Sequence, residues 1–213
     1  GSNIWSNGFL PSQYRGVTFR GKGTPVLNVT NPAGVSREDQ RARIDAVRDL
    51  NRQRLAITGD DEINARIEAY EMAFRMQAAV PELVDLKGET ELTREMYGLN
   101  QKTTRDFGSN CLLARRMVER GVRFVMLAHS NWDHHSNLNK QLKIDCDMVD
   151  TGCAALIQDL KQRGMLDETL IVWGGEFGRT PMNEVRRGFT PGKEGRDHHP
   201  YAFSTWLAGG GVR

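Results

Sequence analysis

The stretch "VRFVMLAHSNWDHHSN", residues 122–137, decides how the fold is read. Its first part, 122–128, is short, mostly apolar and preceded by Gly121, the pattern of a buried strand. A helix predicted from about Ser109 to Arg120 comes before it, and Gly121 is a natural stop for that helix. A long helix from about Leu138 to Arg163 comes after it and ends at Gly164. "DETLIVWGG" (167–175) then reads as a second buried strand, and "YAFSTWLAGGG" (201–211) as a third running into glycines. Strand, helix and strand at this spacing predict an α/β fold, a parallel sheet with crossover helices.

That topology places the polar residues. In open α/β sheets ligands sit beyond the carboxyl ends of the strands. "SNWDHH" directly follows the first strand and "GEFGRTP" directly follows the second, so both emerge at one edge. "GRDHH" leads into the third strand from a loop rich in Gly, Arg and Pro that can reach back to that edge. The chain has five histidines, and four of them stand in two copies of Asp-His-His, at 133–135 and 197–199. The two copies are expected to meet.

Asp133, His134, His135, Glu176, Asp197, His198 and His199 together offer a mixed imidazole and carboxylate donor set. Such a set suits a divalent transition metal, Zn²⁺ or Mn²⁺; Ca²⁺ favours an all-oxygen shell. Adjacent residues on extended chain point to opposite sides, so each triplet is expected to give one or two ligands and an outer partner. Arg179 and Arg196 lie in the same loops. Their planar forks fit phosphate or sulfate oxygens, and equally a structural salt bridge to Glu176 or Asp197. Trp132 and Trp173 read as packing residues.

Upstream the chain has another character. Residues 1–35, rich in Gly, Pro, Asn and Ser, read as a long surface excursion. Ser36 followed by Asp39 predicts a capping box opening a charged helix through about Leu55. "TGDD" (58–61) breaks it. A second helix carries Ile63, Ile67, Tyr70 and Phe74 on one stripe, and Pro81 is expected to end it. The division expected is an extended and helical insert or cap over 1–105 and an α/β half over 106–213.

Composition excludes little but is consistent. A net charge of +2 gives no argument for nucleic acid or acidic membranes. No apolar run approaches the roughly 20 residues of a membrane span. "GSNIWSNGFLPSQ" has no basic region leading into an apolar one, so it does not read as a signal peptide. Cys111, Cys146 and Cys153 form no CxxC pair and read as packing residues.

"YEMAFRMQAAVPELVDL", "CLLARRMVERGVRFVMLAHSNWDHHSN", "LIQDLKQRGMLDETLIVWGGEFGRTP" and "GRDHHPYAFSTWLAGGGV" resemble domain-of-unknown-function family 1501, sulfatase-like proteins of planctomycetes and related bacteria. That family in turn resembles the alkaline phosphatase and sulfatase superfamily. The resemblance implies an alkaline-phosphatase-like, mainly parallel sheet with flanking helices, present as an internal or C-terminal fragment. It implies a periplasmic or secreted protein that hydrolyses sulfate or phosphate esters with a divalent metal. Asp133, His135, Glu176 and His198 would be direct ligands, Asp197 and His199 outer or alternate ones, and Arg179 and Arg196 would hold the anion. Two departures stand out. Phe177 occupies the place of a metal-binding His in the superfamily's Thr-x-Asp-His-Gly strand end, and no residue matches its nucleophile. The alternative expectation is a non-catalytic, metal-stabilised binding or structural domain of a secreted or cell-surface protein.

Overall fold

The computed structural model describes residues 10, 14, 16–20, 25–27, 29–175, 177–184 and 190–212. The run 122–128 is not a strand in it. No described segment pairs with it, and Phe124 and Met126 are 91% and 71% exposed. An extended apolar run becomes a strand only when a neighbour takes up its N–H and C=O groups. The other two predicted strands do form, as β1 (Leu170–Gly174) and β4 (Thr205–Gly209), but they pair antiparallel, with Gly174 opposite Thr205 and Leu170 opposite Gly209.

The expected mainly parallel, alkaline-phosphatase-like sheet is therefore corrected. The described chain is 52% helical, and its sheets are two small antiparallel pairs. The reason lies in the excursion between β1 and β4. Its described part folds back through a second ladder, β2 (Gly178–Arg179) against β3 (His198–His199). The chain thus leaves and re-enters at the same end of β1, so β4 must run the opposite way. Trp173 and Trp206, opposite each other, stack with ring centroids 6.1 Å apart.

By its contacts the chain divides into two compact units, Gly1–Lys87 and Gly88–Arg213. The first is built on α1 (Arg37–Thr58) and α2 (Glu62–Val84). Ser36 and Asp39 close a reciprocal capping box at the start of α1, and Gly59 at φ 64° ends it. In α2 the helix runs through Pro81 to Val84 rather than stopping there. A proline this close to a helix end forfeits one hydrogen bond, and Asp85 N–H still reaches Pro81 O at 3.2 Å. Val29, Ile44, Ile63, Ala65, Val80 and Leu83 are the buried apolar side chains among the described residues of this unit. Arg41 bridges Asp45 and Glu71 while lying 5.0 Å from the Phe74 ring centroid.

The second unit holds α3 (Glu91–Met96), α4 (Arg105–Glu119), α5 (Leu138–Gln162) and both sheets. Gly108 and Gly152 let α4, α5 and the turn before α4 approach closely. A Cβ on Gly108 would lie 1.9 Å from Tyr97 O, and one on Gly152 would lie 3.0 Å from the Phe107 ring. Tyr97, Cys111, Leu112 and Leu160 are the most deeply buried side chains. Among them runs a charged network. Arg115, 2% exposed, reaches Glu89 and Glu119 at 2.7 Å, and Tyr97 donates to Asp159 at 2.9 Å. Arg115 Nε also lies 2.9 Å from Asp159 Oδ2, an ion pair without the alignment of a hydrogen bond. Among the described residues, no helix is long and apolar enough to cross a membrane.

Candidate metal centre

Backbone pairing brings the two Asp-His-His copies together. The first sits in a loop bracketed by Asn131 (φ 79°) and Asn137 (φ 52°), the residue type that tolerates left-handed backbone most readily after glycine. Asn137 precedes α5, and the N–H groups of Asn137 and Leu138 donate to Lys193 O (3.1 Å) and Glu194 O (2.9 Å). The second loop thus takes up donors that a helix start leaves without partners. Arg196 N–H donates to His134 O at 3.1 Å, and bridges join Ser136 to Glu194 and Glu184 to Gly195. The approach is close enough to require glycine: a Cβ on Gly195 would lie 2.0 Å from the His135 carbonyl carbon.

Within a triplet, neighbouring side chains go different ways. His134 turns inward, where Nε2 lies 2.9 Å from Asp145 Oδ2 of α5 and both side chains are buried. Asp133 and His135 turn out to the cluster. Asp133 Oδ1 is its hub, with His135 Nε2 at 2.9 Å, His198 Nε2 at 2.9 Å and Arg179 Nη2 at 2.7 Å. The other nitrogen of His135, Nδ1, lies 2.6 Å from Glu184 Oε2. Phe177 packs its ring 4.6 Å from that of His198, centroid to centroid. The hydrogen bonds from His198 and then Arg179 hold the Asp133 carboxyl far below the usual carboxylate range, so it is ionised at neutral pH.

Asp133, His135 and His198 place one donor atom each within 4.8 Å of one another; His135, Glu184 and Asp197 form a second such group sharing His135. Ligands about 2.0–2.2 Å from a tetrahedral ion stand about 3.3 Å apart. The Asp133-to-imidazole separations of 2.9 Å fall a few tenths of an ångström short of that, and the two imidazole donors lie within 4.8 Å of each other, so the first group is compact enough to surround a single ion. Its donors, two imidazoles and a carboxylate, suit zinc or manganese better than calcium.

Not every predicted residue comes together here. His199 turns away from His198 on β3 and sets its ring edge-on to Tyr201, with Nδ1 buried and without a hydrogen-bond partner among the described residues. Glu176 lies outside the described residues. Arg179 is in the site, donating also to Trp132 O and Arg196 O at 3.2 Å. Arg196 is exposed and contributes its backbone to these contacts. Trp132 packs against the His129 ring at 5.6 Å. Glu184 is the contact that sequence reasoning missed. It stands in "RTPMNE" with no histidine near it in sequence, and the Glu184–Gly195 bridge brings it to His135.

The family model described as protein of unknown function (DUF1501) matches residues 1–213, and the chain belongs to that family. No curated protein and no solved structure matches the chain significantly.

Proposed function

We propose that Asp133, His135 and His198 hold one divalent ion, zinc or manganese, and that this centre serves the hydrolysis of a sulfate or phosphate ester. One observation carries the reading: three donors converge from two loops while two of them, Asp133 at 63% and His198 at 40% side-chain exposure, remain open to solvent. Structural metal sites are closed, whereas catalytic ones keep a position free. A divalent ion there would supply Lewis acidity toward an anionic ester oxygen.

The chain's own residues supply the rest. Asp133 and the two imidazoles fix the ion's place. Arg179 donates from Nη2 to Asp133; an ion on that oxygen would compete with it and leave the guanidinium for the ester's charge. Arg196, exposed on the neighbouring loop, would assist. The likeness of "GEFGRTP" and "GRDHHP" to sulfatase-like proteins supports the same chemistry without appeal to the sheet, and the periplasmic or secreted location rests on that likeness.

The test is metal content by mass spectrometry after chelator-free purification, followed by turnover of aryl sulfate and aryl phosphate against a metal-only control. About one equivalent in the wild type, lost in Asp133→Ala and His198→Ala, is the expected result. A wild type that carries no metal and takes up none would end the reading. The donors also come from segments already stitched by backbone pairing, which favours a second reading as a metal-stapled binding domain. Bound metal that raises thermal stability, with no turnover by the intact protein, selects that one.

A further inference from the structure

His135 is the one imidazole shared by both donor groups, and its two nitrogens face different partners. Nδ1 meets Glu184 Oε2 at 2.6 Å, with only 16% of the His135 side chain and 12% of the Glu184 side chain exposed. Nε2 faces Asp133 Oδ1 at 2.9 Å. An ionised carboxylate only accepts hydrogen bonds, so in the neutral ring the Glu184 contact takes the proton on Nδ1 and leaves the lone pair on Nε2. That lone pair then points at a carboxylate oxygen, an arrangement that is repulsive until a cation stands between them. Glu184 is itself held by backbone: its N–H donates to Gly195 O at 2.9 Å. Asp197 is the other carboxylate of the second group, but it accepts from the backbone N–H of His198 at 2.8 Å.

We infer that Glu184 is the positioning residue of the centre: it fixes His135 as the Nδ1–H tautomer and so presents the Nε2 lone pair to the ion shared with Asp133 and His198. The inference rests on the metal reading above for its purpose, but the tautomer is a property of the metal-free chain. A neutral histidine side chain in water favours the proton on Nε2, which would block the ligand atom. Outer partners of this kind are worth roughly 10–100-fold in metal affinity.

The experiment uses the full chain and two readouts. Nitrogen-15 NMR of the histidine rings in metal-free protein reports which nitrogen of His135 carries the proton. Calorimetric titration with Zn²⁺ reports affinity and stoichiometry. The wild type is expected to show the Nδ1–H form and one ion. Glu184→Leu, which removes the acceptor, should move the His135 proton to Nε2 and weaken Zn²⁺ by about 10–100-fold, with the His134 resonances unchanged as evidence of folding. Glu184→Gln, whose amide oxygen still accepts, should keep the tautomer and most of the affinity. A wild-type His135 protonated on Nε2, or Zn²⁺ affinity unchanged in Glu184→Leu, overturns the inference. Two ions per chain that require Glu184 also overturn it, because Nδ1 would then be a ligand. An Nδ1–H wild type that takes up no Zn²⁺ sinks the metal reading alone and leaves the Glu184 assignment standing.

Discussion

Replacing His134 by alanine tests whether the first triplet divides its two histidines between structure and chemistry. His134 Nε2 lies 2.9 Å from Asp145 Oδ2, with side-chain exposures of 9% and 5%. Removing the imidazole leaves the Asp145 carboxyl facing a gap on α5 with its partner gone. Breaking a buried pair from one side costs about 3–5 kcal/mol. The low end applies here, because the pair lies under a surface loop and water can enter a gap of imidazole size. About 3 kcal/mol, at a urea slope of about 2 kcal/mol per molar, lowers the unfolding midpoint by about 1.5 M. The same logic predicts that His134→Leu combined with Asp145→Leu recovers most of the loss, since neither partner is then left stranded. A double-mutant cycle in urea should therefore give a coupling of about 2 kcal/mol or more. Costs that simply add, or a His134→Ala penalty under about 0.5 kcal/mol, would falsify the assignment of His134 as the anchor of the loop.

Two further expectations concern the second unit. Arg115→Met removes one partner each from Glu89, Glu119 and Asp159 and should cost about 4 kcal/mol, whereas Tyr97→Phe, which leaves Arg115 and Arg163 beside Asp159, should cost about 1–2 kcal/mol; urea midpoints separate them. For pH, burial raises the Glu89 carboxyl but the Arg116 and Arg115 hydrogen bonds outweigh it, so it ends below its ordinary 4.5, and Asp133 is held below its ordinary 3.8 by His198 and Arg179. Both contribute stability that is present above those values and lost as pH falls through the lowered ones. Burial, and then Asp159, raise the Tyr97 hydroxyl above its ordinary 10.0, so its contribution is complete below that value and is lost above it. The urea midpoint should stay level from about pH 5 to about pH 9 and fall on both sides; a midpoint that stays level down to about pH 3 would remove Glu89 and Asp133 from the account.

What the sequence made legible follows from how local each signal is. The capping box of Ser36 and Asp39 and the stops at Gly59, Gly121 and Gly164 are local, and the structure has each of them. Strand pairing is not local. The apolar character of 122–128, 170–174 and 205–209 says that these segments can extend. It says nothing of partner or direction, which the folded-back excursion between β1 and β4 sets. Alternation explains the histidines: within each triplet one ring turns to the cluster and its neighbour turns away, as His134 and His199 do. Which of two adjacent histidines does which is undecidable from the triplet, because it depends on Asp145 lying beneath one of them. Glu184 carried no signal because its nearness to His135 is made by a single bridge far along the chain.

The two triplets were expected to meet at the edge of a parallel sheet, and they meet without one. Antiparallel contacts do the work: Gly178 opposite His199, Ser136 opposite Glu194 and Glu184 opposite Gly195. This difference bears on energetics. A site assembled from free loops must order its ligands when the ion arrives, and that ordering subtracts from affinity. Here the backbone ladder, the closeness that Gly195 allows and the buried His134–Asp145 anchor hold Asp133 2.9 Å from both His135 and His198, so little ordering would be left to oppose an ion in the proposed centre. The main competitor of an incoming cation is Arg179, which already neutralises Asp133 from 2.7 Å. The charge of the guanidinium and that of a divalent ion cannot both sit on one carboxylate oxygen without repulsion. In the proposed centre, an ion seated on Asp133 would turn Arg179 from an internal counter-charge into a cation available to an anionic group.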